Sequence, residues 1–279
     1  MNLFTTIALE TNSLCNRKCW FCPNAYNTRP NELMPLDLIE KVGEDLKRLK
    51  YQGRIVLYIY NEPLLDKRID EIIYYLRQTV PKSCIMLATN ADTVKSGDRF
   101  QQLFTMGLNQ LQINVYSGMK RYRELLSMIS ETEAVEGNIY GNCSPRKRLY
   151  SIEQKFEKKI TPDAQVGRFE LSNRSGNVPR LAVPKEPLEK MCVRPFRSMQ
   201  VNWKGEVILC CNDYHGDVIC GNIATDPVDV IWTESKILRK YRQKLIFKDR
   251  SGLPLCAPCS FKGGAYPHMV PKFWPELLT

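Results

Sequence analysis

Phe4-Thr5-Thr6-Ile7-Ala8-Leu9-Glu10 and, just after it, Cys15-Asn16-Arg17-Lys18-Cys19-Trp20-Phe21-Cys22 set the terms on which the rest of the chain is read. The first segment alternates apolar and β-branched residues, which predicts a strand. It runs directly into a loop whose three cysteines are spaced by three and then two residues. Three thiolates in one loop can hold a small inorganic core, and no fourth ligand lies near. Cubane clusters in electron carriers take four cysteine thiolates, so three imply an iron left open to bind something else. A zinc loop is the alternative, but zinc would want a fourth Cys or His close by. The histidines, His215 and His268, lie far down the chain.

Downstream, apolar strands alternate with amphipathic helices. Pro35 opens a helix expected to run to about Lys50, because Leu38, Ile39, Val42, Leu46 and Leu49 recur at helical spacing. Arg54 to Tyr60 is a near-continuous apolar run of the kind seen in buried parallel strands. Helices over Lys67–Thr79, Ser96–Met106 and about Lys120–Ser130 then alternate with strands over Cys84–Ala88 and Leu111–Tyr116. That alternation predicts an α/β fold with a parallel sheet. The stretch from Gly137 to Gln165 breaks the rhythm with Arg146-Lys147-Arg148 and a helix-like basic segment carrying Lys155, Lys158 and Lys159. It reads as a solvated surface helix or a substrate-facing insertion. A strand is expected again over Arg168–Ser172, and Pro179, Pro184 and Pro187 mark a connection where a domain boundary is placed.

A second cysteine set follows. Cys192 and Cys210 flank Gly205, at which Met199–Trp203 and Glu206–Leu209 are expected to form a hairpin; Asp229–Lys248 reads as helical, and Cys256 and Cys259 come after it. A tight glycine turn can bring flanking cysteines onto one cluster while the distant pair closes a set of four. A zinc knuckle at Cys256 and Cys259 is the alternative. Cys211 could compete with Cys210, and Cys84, Cys143, Cys211 and Cys220 are expected to be small buried apolar residues.

The bulk properties bound the answer. A chain of 279 residues, 43% hydrophobic and 25% charged, has ample length for a globular core. Eleven cysteines at these spacings read better as metal ligands than as disulfides. No secretory signal is evident and no apolar run nears the ~18 residues a membrane span needs, so a cytoplasmic protein with no membrane association is expected. A formal charge of +10, from 40 Lys+Arg against 30 Asp+Glu, favours an anionic substrate or partner without identifying one.

The Cys15–Cys22 spacing, with Trp20 ahead of Phe21 and Cys22, resembles the radical S-adenosylmethionine superfamily. The resemblance implies a partial (β/α)6 barrel over residues 1–180, with a 4Fe-4S cluster on Cys15, Cys19 and Cys22. The cofactor chelates that cluster's open iron and is cleaved reductively to a 5'-deoxyadenosyl radical. The Cys192–Cys259 pattern resembles the start of the SPASM module in its truncated twitch form, implying a second, α+β domain over 181–279. A second 4Fe-4S cluster would then sit on Cys192, Cys210, Cys256 and Cys259. By the same resemblance, Tyr60, Asn61, Glu62 and Asn90 would contact S-adenosylmethionine, with Asn114 and Ser117 near its ribose. Leu171-Ser172-Asn173-Arg174 and Gly221-Asn222-Ile223 are similar to the superfamily's dehydrogenases of aminocyclitols, in which the residue matching Arg174 meets the substrate. A salt bridge at a strand end is the alternative for Arg174.

The implied function is oxidation of an alcohol in a carbohydrate- or aminocyclitol-like metabolite of natural-product biosynthesis, with a flavodoxin- or ferredoxin-type reductant. Cys211 and Asn212 depart from the aromatic and acidic pair those dehydrogenases place at the substrate. Alternatives are a maturase of peptide natural products, for epimerisation or cross-linking, and a radical enzyme acting on nucleotides or nucleic acid. The last is motivated by the positive charge and is not favoured.

Overall fold

The computed structural model describes residues 3–130, 146–151 and 171–263. Strand β1, Thr6–Leu9, lies inside the sheet with Ile7 and Leu9 fully buried. It pairs in parallel with β2, Arg54–Val56, on one side. Beyond β2 come β3, Cys84–Thr89, β4, Gln110–Val115, and β5, Arg146–Ser151, all parallel. Helices α1, Leu36–Arg48, α2, Ile69–Thr79, and α3, Asp98–Thr105, connect successive strands, and α4, Gly118–Ser130, follows β4. These match the expected helices to within a residue or two at most ends, because each carries its apolar residues on one face.

On the other side of β1 the sheet continues. After a short α5, Arg194–Arg197, strand β6, Ser198–Val201, pairs in parallel with β1, setting Met199 opposite Ile7. The expected hairpin follows: β7, Glu206–Ile208, is antiparallel to β6 and turns at Gly205, whose φ of +79° is the left-handed geometry glycine adopts freely. β8, Ile219–Asn222, closes the edge, giving the order β5-β4-β3-β2-β1-β6-β7-β8. Helices α6, Val228–Glu234, and α7, Lys236–Ile246, follow it. Trp232 of α6 packs edge-on against Phe4 at 5.3 Å, so one hydrophobic core runs through both ends of the chain.

Five expectations need correction. β2 ends at Val56 instead of running to Tyr60. Leu57 N–H still reaches Met86 O across to β3 (3.0 Å), but beyond it Ile59 N–H goes to Asn61 Oδ1 (3.0 Å) and Tyr60 N–H to Glu10 Oε1 (3.0 Å), which turns the chain out of the ladder. Arg146–Ser151, in the Gly137–Gln165 stretch expected as a surface helix or a substrate-facing insertion, is strand β5, because β4 offers it a free edge along its whole length; Lys155, Lys158 and Lys159 lie outside the described residues. The expected single helix over Asp229–Lys248 is two, broken at Ser235, whose hydroxyl accepts from Leu238 N–H as an N-cap. Cys84 is disulfide-bonded, not a free thiol; Cys143 lies outside the described residues. Of the strand expected over Arg168–Ser172, Leu171 and Ser172 form no regular element and the remainder lies outside the described residues.

Because β1 to β4 are parallel, their carboxyl ends fall on one edge. There the chain delivers Glu10 and the cysteine loop, Tyr60–Glu62, Asn90, and Asn114 with Tyr116, which is where parallel α/β sheets place their sites.

Candidate functional site

The first cysteine loop is laced to the neighbouring strand ends. Glu62 N–H donates to Leu14 O (2.7 Å), Asn24 Nδ2 to Tyr60 O (2.8 Å) and Asn90 Nδ2 to Asn16 Oδ1 (2.7 Å). Cys15, Cys19 and Cys22 thereby line one cavity with Tyr60, Asn61, Glu62, Asn90, Asn114, Tyr116 and Arg174. Burial raises the three thiols, Cys15 to about 11 and Cys19 to about 12, so without a cation they hold their protons at neutral pH.

Glu62 is anchored as well as exposed to the cavity. Its carboxylate accepts from Thr89 Oγ1 (2.5 Å), Asn90 N–H (2.7 Å) and Leu64 N–H (3.1 Å), leaving lone-pair capacity for one more donor. Burial raises its pKa against the pull of those bonds. Tyr60 donates its hydroxyl to Cys211 O (2.6 Å), reaching the second module. The Ser117 hydroxyl accepts from Arg17 Nη2, while Arg17 grips Asp92 with two bonds of 2.6 Å.

Beneath the loop, Arg29 and Glu10 form a nearly enclosed ion pair at 2.6 Å. Arg29 lies over the rings of Tyr60, Trp203 and Tyr214, at 5.2, 4.6 and 4.1 Å. Tyr214 in turn donates to Asn24 Oδ1 (2.8 Å), two residues past Cys22. No periodicity or spacing marks Arg29, Asn24 or Tyr214 in the sequence; their roles exist only in the assembled structure.

The second set also converges. Cys210, Cys256 and Cys259 are buried and Cys192 partly so. Cys210 lies within electrostatic reach of Cys192 and Cys256, and Cys256 of Cys192 and Cys259. Burial raises Cys192 and Cys210 as well, and Cys256 to about 12. Cys211 sits beside Cys210, whereas Cys220 is buried with its thiol toward Val218 O (3.9 Å) and has Asp213 and Arg242 as its charged neighbours. Among the described residues no three His, Cys, Asp or Glu side chains form a single-ion site; ligands of a cluster stand further apart, each on its own iron.

Two arginines border this set. Arg250 donates to Lys190 O (2.9 Å) and Phe261 O (2.8 Å), tying the approach to Cys192 to the segment after Cys259. Arg194 has the thiols of Cys211, Cys210, Cys192 and Cys259 as its neighbours. Arg194 Nη1 and Arg250 Nη2 are buried without a hydrogen-bond partner, an arrangement that costs free energy unless an anionic group completes it. Asn212 donates its backbone N–H to Cys210 Sγ (3.4 Å) and its Nδ2 to Cys259 Sγ (3.3 Å).

Arg174 stands between the two sets. Asn173 donates Nδ2 to Pro258 O (2.7 Å) and accepts from Ser260 N–H (2.9 Å), docking this segment on the Cys256–Cys259 turn. Arg174 itself takes a φ of +50°, a left-handed geometry uncommon for residues other than glycine, and donates Nη1 to Asn212 Oδ1 (3.3 Å).

The radical SAM superfamily model matches residues 9–138, and that of an iron–sulfur cluster-binding domain, SPASM, matches residues 192–260. The chain carries a radical SAM domain followed by a SPASM domain. Among its relatives is the S-adenosyl-L-methionine-dependent 2-deoxy-scyllo-inosamine dehydrogenase of Niallia circulans, 27% identical over 264 residues that cover 92% of this chain and 93% of the relative. A solved structure of BtrN in complex with AdoMet and 2-DOIA superposes with a TM-score of 0.75 at 25% identity, covering 93% of this chain and 94% of that one. An open conformation of BtrN gives 0.66 at 22% identity, with 93% of each chain covered.

The two domains bring a radical SAM 4Fe-4S cluster and an auxiliary cluster. The residues present fit them. Each set brings partly or fully buried cysteines together, and the second adds N–H donors to sulfur and two orphaned arginine N–H groups, a suitable frame for a buried anionic cluster.

Proposed function

We propose that this radical SAM oxidoreductase removes a hydrogen from a substrate C–H bond and oxidises the alcohol at that carbon in a carbohydrate- or aminocyclitol-like metabolite. In this reading Cys15, Cys19 and Cys22 hold the catalytic cluster, and Cys192, Cys210, Cys256 and Cys259 the auxiliary one, in domains that meet near residues 180 and 181. The bound groups supply the radical and the sink for one electron; alcohol oxidation releases two electrons and two protons, one pair leaving as the abstracted hydrogen. The remaining proton and electron leave separately.

The chain's own residues position the reactants. Glu62 has one acceptor site left for an ammonium group, and Asn61, Asn90 and Asn114 offer polar contacts on the same wall. Arg174 presents a cation to the cavity. The observation that carries the reading is that Arg174 joins the two cysteine sets, lining the first set's cavity while hydrogen-bonded to a residue that touches two thiols of the second. The relative's printed activity on 2-deoxy-scyllo-inosamine gives the substrate class. A flavodoxin- or ferredoxin-type protein delivers the first electron, and the cluster cysteines, which are free thiols unlike the disulfide-bonded Cys84, have to stay reduced to hold iron. Among the described residues no helix is long and apolar enough to cross a membrane.

The test is anaerobic turnover with aminocyclitols and polyols deuterated at the carbinol carbon, 2-deoxy-scyllo-inosamine among them. Deuterium in 5'-deoxyadenosine, with a ketone two hydrogens lighter than its parent alcohol, is expected. Deuterium transfer with a product of unchanged oxidation level, an epimer, would overturn the dehydrogenase reading.

A further inference from the structure

Asn212 is 1% exposed and has every polar group of its side chain engaged. Arg174 can only donate, so it fixes the amide with oxygen toward the cavity and nitrogen toward Cys259. The same residue's backbone N–H reaches Cys210 Sγ, so two thiols of the second set receive a hydrogen bond from one residue. Hydrogen bonds to cluster sulfurs favour the more negative, reduced state and raise the reduction potential. Donation from a guanidinium to Oδ1 polarises the amide and strengthens what Nδ2 gives to sulfur.

We propose that Asn212 is a positioning residue that raises the acceptor potential of the auxiliary cluster and couples that potential to Arg174 at the cavity. A substrate group that engages Arg174 is then felt at Cys259 through a single side chain. The proposal rests on reading Cys192, Cys210, Cys256 and Cys259 as auxiliary ligands, and it reaches beyond that reading in assigning Asn212 control over when the second electron can be accepted.

The test uses the full chain carrying Cys15→Ala, Cys19→Ala and Cys22→Ala, so that the auxiliary cluster is the sole paramagnetic centre in an EPR-monitored redox titration. Adding Asn212→Leu is expected to lower the equilibrium constant for reduction at least tenfold, about 59 mV more negative for one electron. Arg174→Gln should shift it the same way by less, although its hydrogen bond goes to Asn212 and to no sulfur. In the variant bearing both changes, Arg174→Gln should add nothing further, the signature of one pathway. A cluster of about four irons whose potential ignores Asn212→Leu overturns the proposal, as do additive shifts. Should Asn212→Leu lose its iron, an unchanged potential in Arg174→Gln overturns it alone. A parent triple variant that binds no iron would instead refute the ligand reading beneath it.

Discussion

Arg29 illustrates what a single residue does here. Its guanidinium neutralises Glu10 at 2.6 Å, donates to Tyr214 O at 2.7 Å and fills the space between three aromatic rings. Arg29→Met would strip the buried Glu10 carboxylate of its counter-ion and leave it the Tyr60 N–H bond alone, with an expected loss of about 3–5 kcal/mol in denaturant unfolding. Glu10→Gln added to it should recover part of that loss; a single variant as stable as the parent would contradict the account. Glu62→Ala should cost about 1–3 kcal/mol for the donors it strands on Thr89, Asn90 and Leu64. It should also weaken S-adenosylmethionine binding, measured by isothermal titration of the reconstituted protein; undiminished affinity would remove Glu62 from the site. Residues of this kind divide by legibility. The cysteines announce themselves through spacing within one loop or across one turn, whereas Arg29 meets Glu10 and Tyr214, and Asn212 meets Cys259 and Arg174, only once distant segments come together, so neither leaves a local pattern.

At the scale of elements, helices α1 to α4 were legible nearly to their ends because each repeats its apolar positions over several turns, whereas the break between α6 and α7 at Ser235 was not. Strands were less so: hydrophobicity runs on from Val56 to Tyr60, but side-chain acceptors on Glu10 and Asn61 end the ladder early. The β6–β7 hairpin was visible from Gly205, and its turn is strict. An added Cβ there would stand 2.9 Å from Leu38 Cδ1, on a backbone with φ of +79°. Gly205→Ala should therefore destabilise the protein by about 1–2 kcal/mol, read as a lowered Tm, and should reduce iron retained by the auxiliary set because Cys210 follows this hairpin. Wild-type Tm and iron content would contradict that link.

For the whole molecule, the decisive contact is β1 with β6, which joins the barrel strands to the C-terminal hairpin in one sheet. Sequence could show the two cysteine sets and the alternation around them, but not that strands so distant along the chain would become neighbours. A continuous sheet and a shared core predict one cooperative thermal transition for the holoprotein, followed by calorimetry; two separate transitions would mean the halves fold independently. The same arrangement places two cysteine sets on either side of Arg174 and Asn212, and the account stands or falls on what those sets bind. Anaerobic reconstitution with metal and sulfide analysis, followed by assay for 5'-deoxyadenosine, tests it most directly. About eight irons per chain and reductant-dependent cleavage of S-adenosylmethionine, lost when Cys15, Cys19 and Cys22 are replaced by Ala while about half the iron remains, is the result expected; bound zinc without cleavage would contradict it.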